Sequence, residues 1–382
     1  VVADIVSTSE LPPGAEGREF QVDLLLPGFI NAHSHLEYTL FHGRLPRGRI
    51  PFGDWIDAIA ALKKGATGDA YFEGVKSGVA QLLAGGTTTV IDSAHSPEAA
   101  RGLSGAAVRY VLLWEILGLL EDQAREGYAG LHERLALPGG IRCINVGVNP
   151  HAPYSIGPYL RGRLKVLLKE NPDLVCAWHL NETAEEMELF ETGGGDLAGF
   201  LQRHELPLPF DAPPRCSPLE FLGREQLLDR CDLAFHLNHF RVEDASQFAA
   251  PCGVVHCPGT HAFFDRPPFP AMKLISAGAN LCLGTDSLAS ATTLNMFDVV
   301  RCAGRAFPAL TGPQLLDLAT RNPARLRPLA IVSPRLGIIE PGAAADFAAI
   351  RMPAGFDMDM RELLLVPEAQ VAATFIAGEK LF

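Results

Sequence analysis

The chain has 382 residues, 48% of them hydrophobic and 20% charged, with 32 basic against 44 acidic side chains and a formal net charge of −12. That apolar content is globular and ample for one large barrel or two modest domains, which excludes a disordered or collagen-like chain. The negative charge argues against nucleic acid or an anionic membrane as partner, since only short basic groups such as Arg44, Arg47 and Arg49 offset it.

No apolar run approaches the ~18 residues a membrane helix needs. The longest candidate, 111–120, is interrupted by Glu115. The chain opens on Val rather than Met, so further native N-terminal residues are expected, and no basic segment followed by an apolar one stands at its start. The eight cysteines form no CxxC pair, and Cys143, Cys176, Cys231 and Cys282 sit in or beside strand-like runs. That pattern predicts reduced, buried thiols and a cytoplasmic protein.

In chain order, strands are predicted near 24–31, 88–92, 109–114, 142–149, 174–179, 233–237, 253–256 and 280–284. Their hydrophobicity is continuous rather than alternating, so both faces are buried, as in a parallel sheet covered by helices. Helical spacing fills the gaps. Val75, Val79, Leu82 and Leu83 mark a helix over 71–83 that Gly85-Gly86 ends. Leu164, Leu167 and Leu168 mark another over 161–170, and Thr311-Gly312-Pro313 opens a third. Eight strand–helix units predict an α/β fold, a (β/α)8 TIM barrel, over 24–333, with 193–218 as a long irregular insertion. The flanks, 1–23 plus 334–382, carry strand-like runs at 338–339, 347–350 and 371–376. They predict a small β-sandwich-like domain formed by both termini.

The polar residues at the strand ends carry the chemistry. Strand one ends in Asn31-Ala32-His33-Ser34-His35, and residues two apart on an extended chain point the same way. Two neutral imidazoles side by side are half of a divalent metal site, although HxH alone is a weak motif. Strand five ends in His179-Leu180-Asn181-Glu182, offering a third ligand and a carboxylate that can reach a water on the metal. Metal-assisted hydrolysis needs that division: the ion acidifies water and a separate carboxylate moves the proton. Glu185 and Glu186 read instead as acids of a helix's first turn. Strand six ends in His236, strand seven in His256-Cys257-Pro258-Gly259-Thr260-His261, and strand eight in Gly284-Thr285-Asp286. A lone histidine in an apolar run is commonly a core residue, but five strand ends bearing His or Asp on a barrel's C-terminal side point to a site. Three histidines with Asp286 suit one divalent ion, Zn²⁺ first and Fe²⁺ second.

The segments "PGFINAHSHLE", "HAPYS", "HLNETAEEMELF", "HCPGTH" and "LGTDSLAS" resemble the amidohydrolase superfamily, from about Leu24 to the end of the chain, in order and with matching spacing. The nearest branch holds S-adenosylhomocysteine/methylthioadenosine deaminases, aminodeoxyfutalosine deaminases, guanine deaminase and triazine chlorohydrolases. The resemblance implies that His33, His35, His179 and Asp286 bind one metal ion and that Glu182 is the proton shuttle. It places His236 beside the metal-bound hydroxide and the substrate, and His151 against the substrate. It also relates Asp54-Trp55 in "PFGDWI" to an acid–Trp pair that helps hold a ribose. Relatives often read "HCPRSN" where this chain has "HCPGTH", which changes whatever contacts Arg and Asn make there. Binuclear members place a bridging Lys at the end of strand four; here that strand ends in Asn149-Pro150-His151, which favours one metal.

The function expected is hydrolytic deamination of a purine-type ring in an adenosine-like nucleoside, such as aminodeoxyfutalosine or methylthioadenosine. Asp286, helped by His236, deprotonates the water, and Glu182 protonates the ring nitrogen and then the departing ammonia. Asp54, Trp55, His151 and Glu37 are candidates to face a sugar at the barrel mouth. The alternatives are a guanine or cytosine deaminase, or a triazine-type chlorohydrolase, on the same scaffold. A non-catalytic amidohydrolase-like protein would require lost site residues, and none of the core ones is lost. A small-molecule substrate is the partner expected, and a homodimer stays open.

Overall fold

The computed structural model describes residues 1–5, 19–137, 139–241, 243–244, 252–353 and 359–382. Strand β1 (Leu24–Pro27) is followed by β2 (Phe29–Ser34), β3 (Thr87–Ala94), β4 (Arg109–Ile116), β5 (Cys143–Pro150), β6 (Val175–Leu180), β7 (Leu233–His236), β8 (Gly253–His256) and β9 (Asn280–Leu283). β2 to β9 form one eight-stranded sheet in sequential order, every neighbouring pair parallel. The continuous apolar runs are explained by their two faces. Ile30, Ile91, Val111, Leu113, Ala177, Phe235 and Val255 fill the interior, while Leu112, Trp114, Trp178, Ala234 and Leu281 meet the surrounding helices.

The first and last strands of the sheet meet at a parallel bridge between Ser34 and Asp286. The N–H groups of Thr285 and Asp286 both donate to the His33 carbonyl, at 3.1 and 3.0 Å. The Asn31 side chain fastens the same seam, donating to Thr285 Oγ1 at 2.8 Å and accepting from Thr285 N–H at 3.1 Å. Closing the barrel and bringing Asp286 beside His33 are therefore one event.

The run 24–31, expected as one strand, is two. Gly28 divides it, passing so close to Thr88 that a Cβ there would lie 2.3 Å from its methyl group. β1 turns away to pair antiparallel with β10 (Phe347–Arg351), which pairs with β11 (Gln370–Ile376), itself paired with β12 (Glu379–Lys380). Residues 24–27 thus lie in the four-stranded terminal sheet, not in the barrel to which the range 24–333 assigned them. Of the N-terminal segment expected there, 6–18 lie outside the described residues, and Val2 is fixed by backbone bonds to Gly342 and Ala343. Ile338 and Ile339 belong to no strand; they follow a turn at Gly337, whose φ is 70°.

The helices expected at 71–83 and 161–170 run over Gly68–Ala84 and Pro158–Glu170, and Thr311 caps Gly312–Asp317 through a reciprocal bond with Gln314. The insertion 193–218 is not wholly irregular. It contains a helix, Gly195–Arg203, whose Leu197, Phe200 and Leu201 recur at helical spacing on a buried face. All eight cysteines are free, and Cys231 Sγ and Cys252 Sγ lie 3.5 Å apart without a bond. No described helix is long and apolar enough to cross a membrane.

Candidate active site

β2 delivers His33 and His35 to the C-terminal mouth of the barrel, both buried, with ring centroids 4.9 Å apart. His33 stacks on Phe235 at 3.8 Å, which fixes its plane. His179, at the end of β6, lies 5.0 Å from the His33 ring and 5.5 Å from that of His35. Its Nδ1 is 3.0 Å from the His151 carbonyl, an acceptor, so Nδ1 carries the proton and Nε2 keeps its lone pair. Candidate ligand atoms of His33, His35 and His179 lie within 4.8 Å of one another, as do those of His33, His236 and Asp286.

Asp286 sits in left-handed backbone, φ 57°, beyond Gly284 and Thr285 at the end of β9. Gly284 makes this approach feasible, because a Cβ there would lie 2.9 Å from the His33 carbonyl oxygen. Asp286 Oδ2 accepts from Thr260 Oγ1 at 3.0 Å and Ser290 Oγ at 3.3 Å, and Oδ1 accepts from Ser287 N–H at 2.7 Å. Oδ1 lies 3.8 Å from His33 Nε2 and 4.0 Å from His35 Nε2, too far for hydrogen bonds.

Burial holds both of these histidines neutral, pushing His33 well below the ordinary imidazole range and His35 to about 4. Both His33 nitrogens and His35 Nδ1 are buried with no hydrogen-bond partner. Orphaned lone pairs on neutral imidazoles, converging beside a carboxylate, fit a divalent metal ion.

Glu182 follows β6 and faces this cluster. Its Oε1 accepts from Arg266 Nη2 at 2.8 Å, and its Oε2 lies 3.7 Å from His236 Nε2. Burial would raise its pKa, but His236, Arg266 and His179 outweigh that and draw it down to about 2. His236, at the end of β7 with φ 71°, is depressed to about 4, burial prevailing over the attraction of Glu182. Left-handed backbone at both Asp286 and His236 is strain of the kind that persists where a site demands it.

Above the cluster opens a cavity of about 300 Å³. His35, Glu115, His151, His179, Glu182, His236 and Asp286 form its polar floor, and Phe52, Trp55, Ile59, Leu119, Phe200 and Phe264 its apolar wall. His151 Nδ1 is held 2.9 Å from Ser155 Oγ, and burial lowers its pKa to about 4. Trp55 stacks beside Phe52 and meets Phe264 edge-on.

Two sequence candidates lie elsewhere. Asp54 is exposed, its Oδ1 3.4 Å from Arg203, and does not line the cavity; on the helix Phe52–Lys64 the lining residues Phe52, Trp55, Ile56 and Ile59 recur at helical spacing and leave Asp54 on the opposite side. Glu37 is fully buried, accepting from the N–H groups of His95 and Ser96 and from the Ser96 hydroxyl, so it anchors the loop after β3. His256 is buried against Phe269, and His261 bonds Asn238 and the Pro267 carbonyl; neither lines the cavity. Arg44, Arg47 and Arg49 are exposed.

Three residues at the site were not singled out as functional from sequence: Arg266, which clamps Glu182; Thr260, which holds Asp286; and Glu115 on the cavity floor. Glu115 left a trace as the charge that interrupts an apolar run and Thr260 as part of "HCPGTH", whereas Arg266 left none.

The likenesses to known proteins agree with this geometry. The 5-methylthioadenosine/S-adenosylhomocysteine deaminase of Saccharophagus degradans is 28% identical over 367 residues, 91% of this chain and 76% of that protein. The aminodeoxyfutalosine deaminase of Deinococcus radiodurans is 28% identical over 336 residues, 83% of this chain and 76% of that one. The crystal structure of an adenosine deaminase from Xanthomonas campestris with bound Zn aligns at a TM-score of 0.74 and 25% identity, over 93% of this chain and 80% of that one. The profile of the amidohydrolase family matches residues 24–381, spanning both the barrel with its histidine cluster and the terminal sheet, and the chain belongs to that family.

Proposed function

We propose that the protein is a metal-dependent hydrolytic deaminase that replaces the ring amino group of an adenosine-like nucleoside with a carbonyl and releases ammonia. The observation that carries this reading is the pairing at Glu182: one carboxylate oxygen clamped by Arg266, the other beside His236, next to a cluster of buried, unpartnered imidazoles.

His33, His35, His179 and Asp286 would hold one divalent ion, with Zn²⁺ the first choice for a set of three imidazoles and one carboxylate. Bound there, the ion would lower the pKa of a water enough to supply a nucleophile at neutral pH. Asp286 and His236 take the proton of the attacking water. Glu182, a carboxylate at rest, takes up the water's other proton and hands it to the ring nitrogen beside the amino-bearing carbon, and the proton held by Asp286 and His236 passes to the amino group, which leaves as ammonia. The apolar wall with Trp55 and Phe264 suits a flat ring, and His151 presents its free nitrogen to the substrate.

Among the described cavity-lining residues the one Lys or Arg is Lys63, already donating to Tyr38 Oη at 2.7 Å, which favours a nucleoside over its 5′-phosphate. The relatives' names, deaminases of methylthioadenosine, S-adenosylhomocysteine and aminodeoxyfutalosine, support the same class. A cytoplasmic setting accords with the eight free thiols.

The test is ammonia release from the metal-loaded protein with adenosine, methylthioadenosine, aminodeoxyfutalosine, adenosine 5′-phosphate, guanine, cytosine and an aminotriazine. Highest kcat/KM is expected among the adenine nucleosides. Preference for a free base or the triazine would replace this reading.

A further inference from the structure

Three carboxylates line the cavity, and the reaction above gives tasks to Glu182 and Asp286 only. The third, Glu115, comes from β4, where its neighbours Trp114 and Ile116 point outward into the helical layer. Alternation along the strand therefore turns Glu115 inward, and it is only 5% exposed. Its Oε1 is buried with no hydrogen-bond partner, and it makes no ion pair among the described residues. A carboxylate oxygen left in that state is costly unless something brought into the cavity donates to it.

A second metal ion is poorly served there. Ligand atoms of Glu115, His151 and His179 do lie within 4.8 Å of one another. But His179 Nδ1 is tied to the His151 carbonyl, which leaves only Nε2 for the cluster with His33 and His35, and His151 Nδ1 is tied to Ser155. One imidazole nitrogen and one carboxylate are too few ligands. A cationic group would meet Lys63 on the same cavity wall. Neutral hydroxyl donors remain, and two carboxylate oxygens match a pair of adjacent hydroxyls with two charge-assisted bonds.

We propose that Glu115 receives the 2′- and 3′-hydroxyls of the substrate ribose and makes the site selective for ribonucleosides. The inference rests on the nucleoside deaminase reading and gives Glu115 the sugar-holding task for which Asp54, outside the cavity, is misplaced. Trp55 and His151 line the same cavity as Glu115, so ring and sugar are gripped together.

The experiment measures kcat/KM for adenosine, 2′-deoxyadenosine and 3′-deoxyadenosine with the metal-loaded wild type and with Glu115→Gln and Glu115→Asp. Binding of inosine and 2′-deoxyinosine, by calorimetry, gives a readout independent of turnover. For wild type, each missing hydroxyl should lower kcat/KM by on the order of 10- to 100-fold, the usual weight of a hydrogen bond to a charged group. In Glu115→Gln that discrimination should shrink to a few-fold, mainly through loss on adenosine, with metal content unchanged. Wild-type indifference to both hydroxyls would overturn the proposal even if neither variant folds. So would unchanged discrimination in Glu115→Gln, or loss of a second metal equivalent in that variant. Failure of wild type to deaminate any adenine ribonucleoside would instead overturn the functional reading beneath it.

Discussion

Arg266 donates to Glu182 twice, through Nη2 to the carboxylate at 2.8 Å and through Nη1 to the backbone carbonyl at 2.6 Å. Both side chains are nearly buried, with relative exposures of 8% and 11%. The pair fixes Oε1 and leaves Oε2 as the oxygen that can carry a proton. Together with His236, the pair keeps this buried acid ionised.

Arg266→Ala should cut kcat by about 10²-fold while leaving the metal in place, in the range expected for disabling a positioned acid–base group. With the guanidinium gone, the Glu182 pKa rises from about 2, so the acid limb of the pH–rate profile should move to higher pH. Removing one partner of a buried pair should also cost about 3 kcal/mol of stability. An unmoved acid limb would mean that Arg266 does not set the state of Glu182.

Ligand and shuttle separate by substitution. Glu182→Gln keeps size and hydrogen-bonding shape but cannot carry the proton, so metal should remain at about one equivalent while turnover collapses. His179→Asn, His33→Ala and Asp286→Ala should each lose metal and activity together. Two metal equivalents in the wild type, or full occupancy after the ligand substitutions, would contradict the single site.

Glu186 gives a stability prediction. Its Oε2 accepts from the Glu182 N–H at 2.7 Å while Oε1 has no partner, and burial raises its pKa from 4.5 to about 8. Between those values the folded chain binds a proton that the unfolded chain has released. The contribution of Glu186 is therefore full below pH 4.5 and lost as pH rises toward 8, by up to about 1.4 kcal/mol per pH unit. Denaturant titrations across this window should show wild type losing stability relative to Glu186→Gln as pH rises. Parallel curves would show that Glu186 is not protonated in the fold.

The barrel was legible because both faces of each strand are buried, and continuous apolar runs ending in His, Asp or Glu mark where each strand reaches the mouth. His33, His35, His179, Glu182, His236 and Asp286 were singled out on that pattern, and the structure brings them together at the barrel mouth. Arg266 and Thr260 were not found, because their meaning lies in contacts with Glu182 and Asp286, 84 and 26 residues away in sequence. Asp54 could have been questioned from helical geometry, since the apolar face that recurs at Phe52, Trp55, Ile56 and Ile59 leaves it on the opposite side of the helix. The helix Gly195–Arg203 was legible in its Leu197, Phe200, Leu201 spacing but lies among the glycines and prolines that made its surroundings read as loop.

The most direct test of hydrolytic deamination follows the fate of both atoms exchanged. Metal-loaded protein is incubated with adenosine or methylthioadenosine in ¹⁸O-labelled water, and ammonia and product mass are measured together. The account predicts one ammonia per product, the glycosidic bond intact and one solvent oxygen on the ring, with neither ammonia nor labelled product formed by Glu182→Gln. Release of a free purine base, or a product without solvent oxygen, would contradict it.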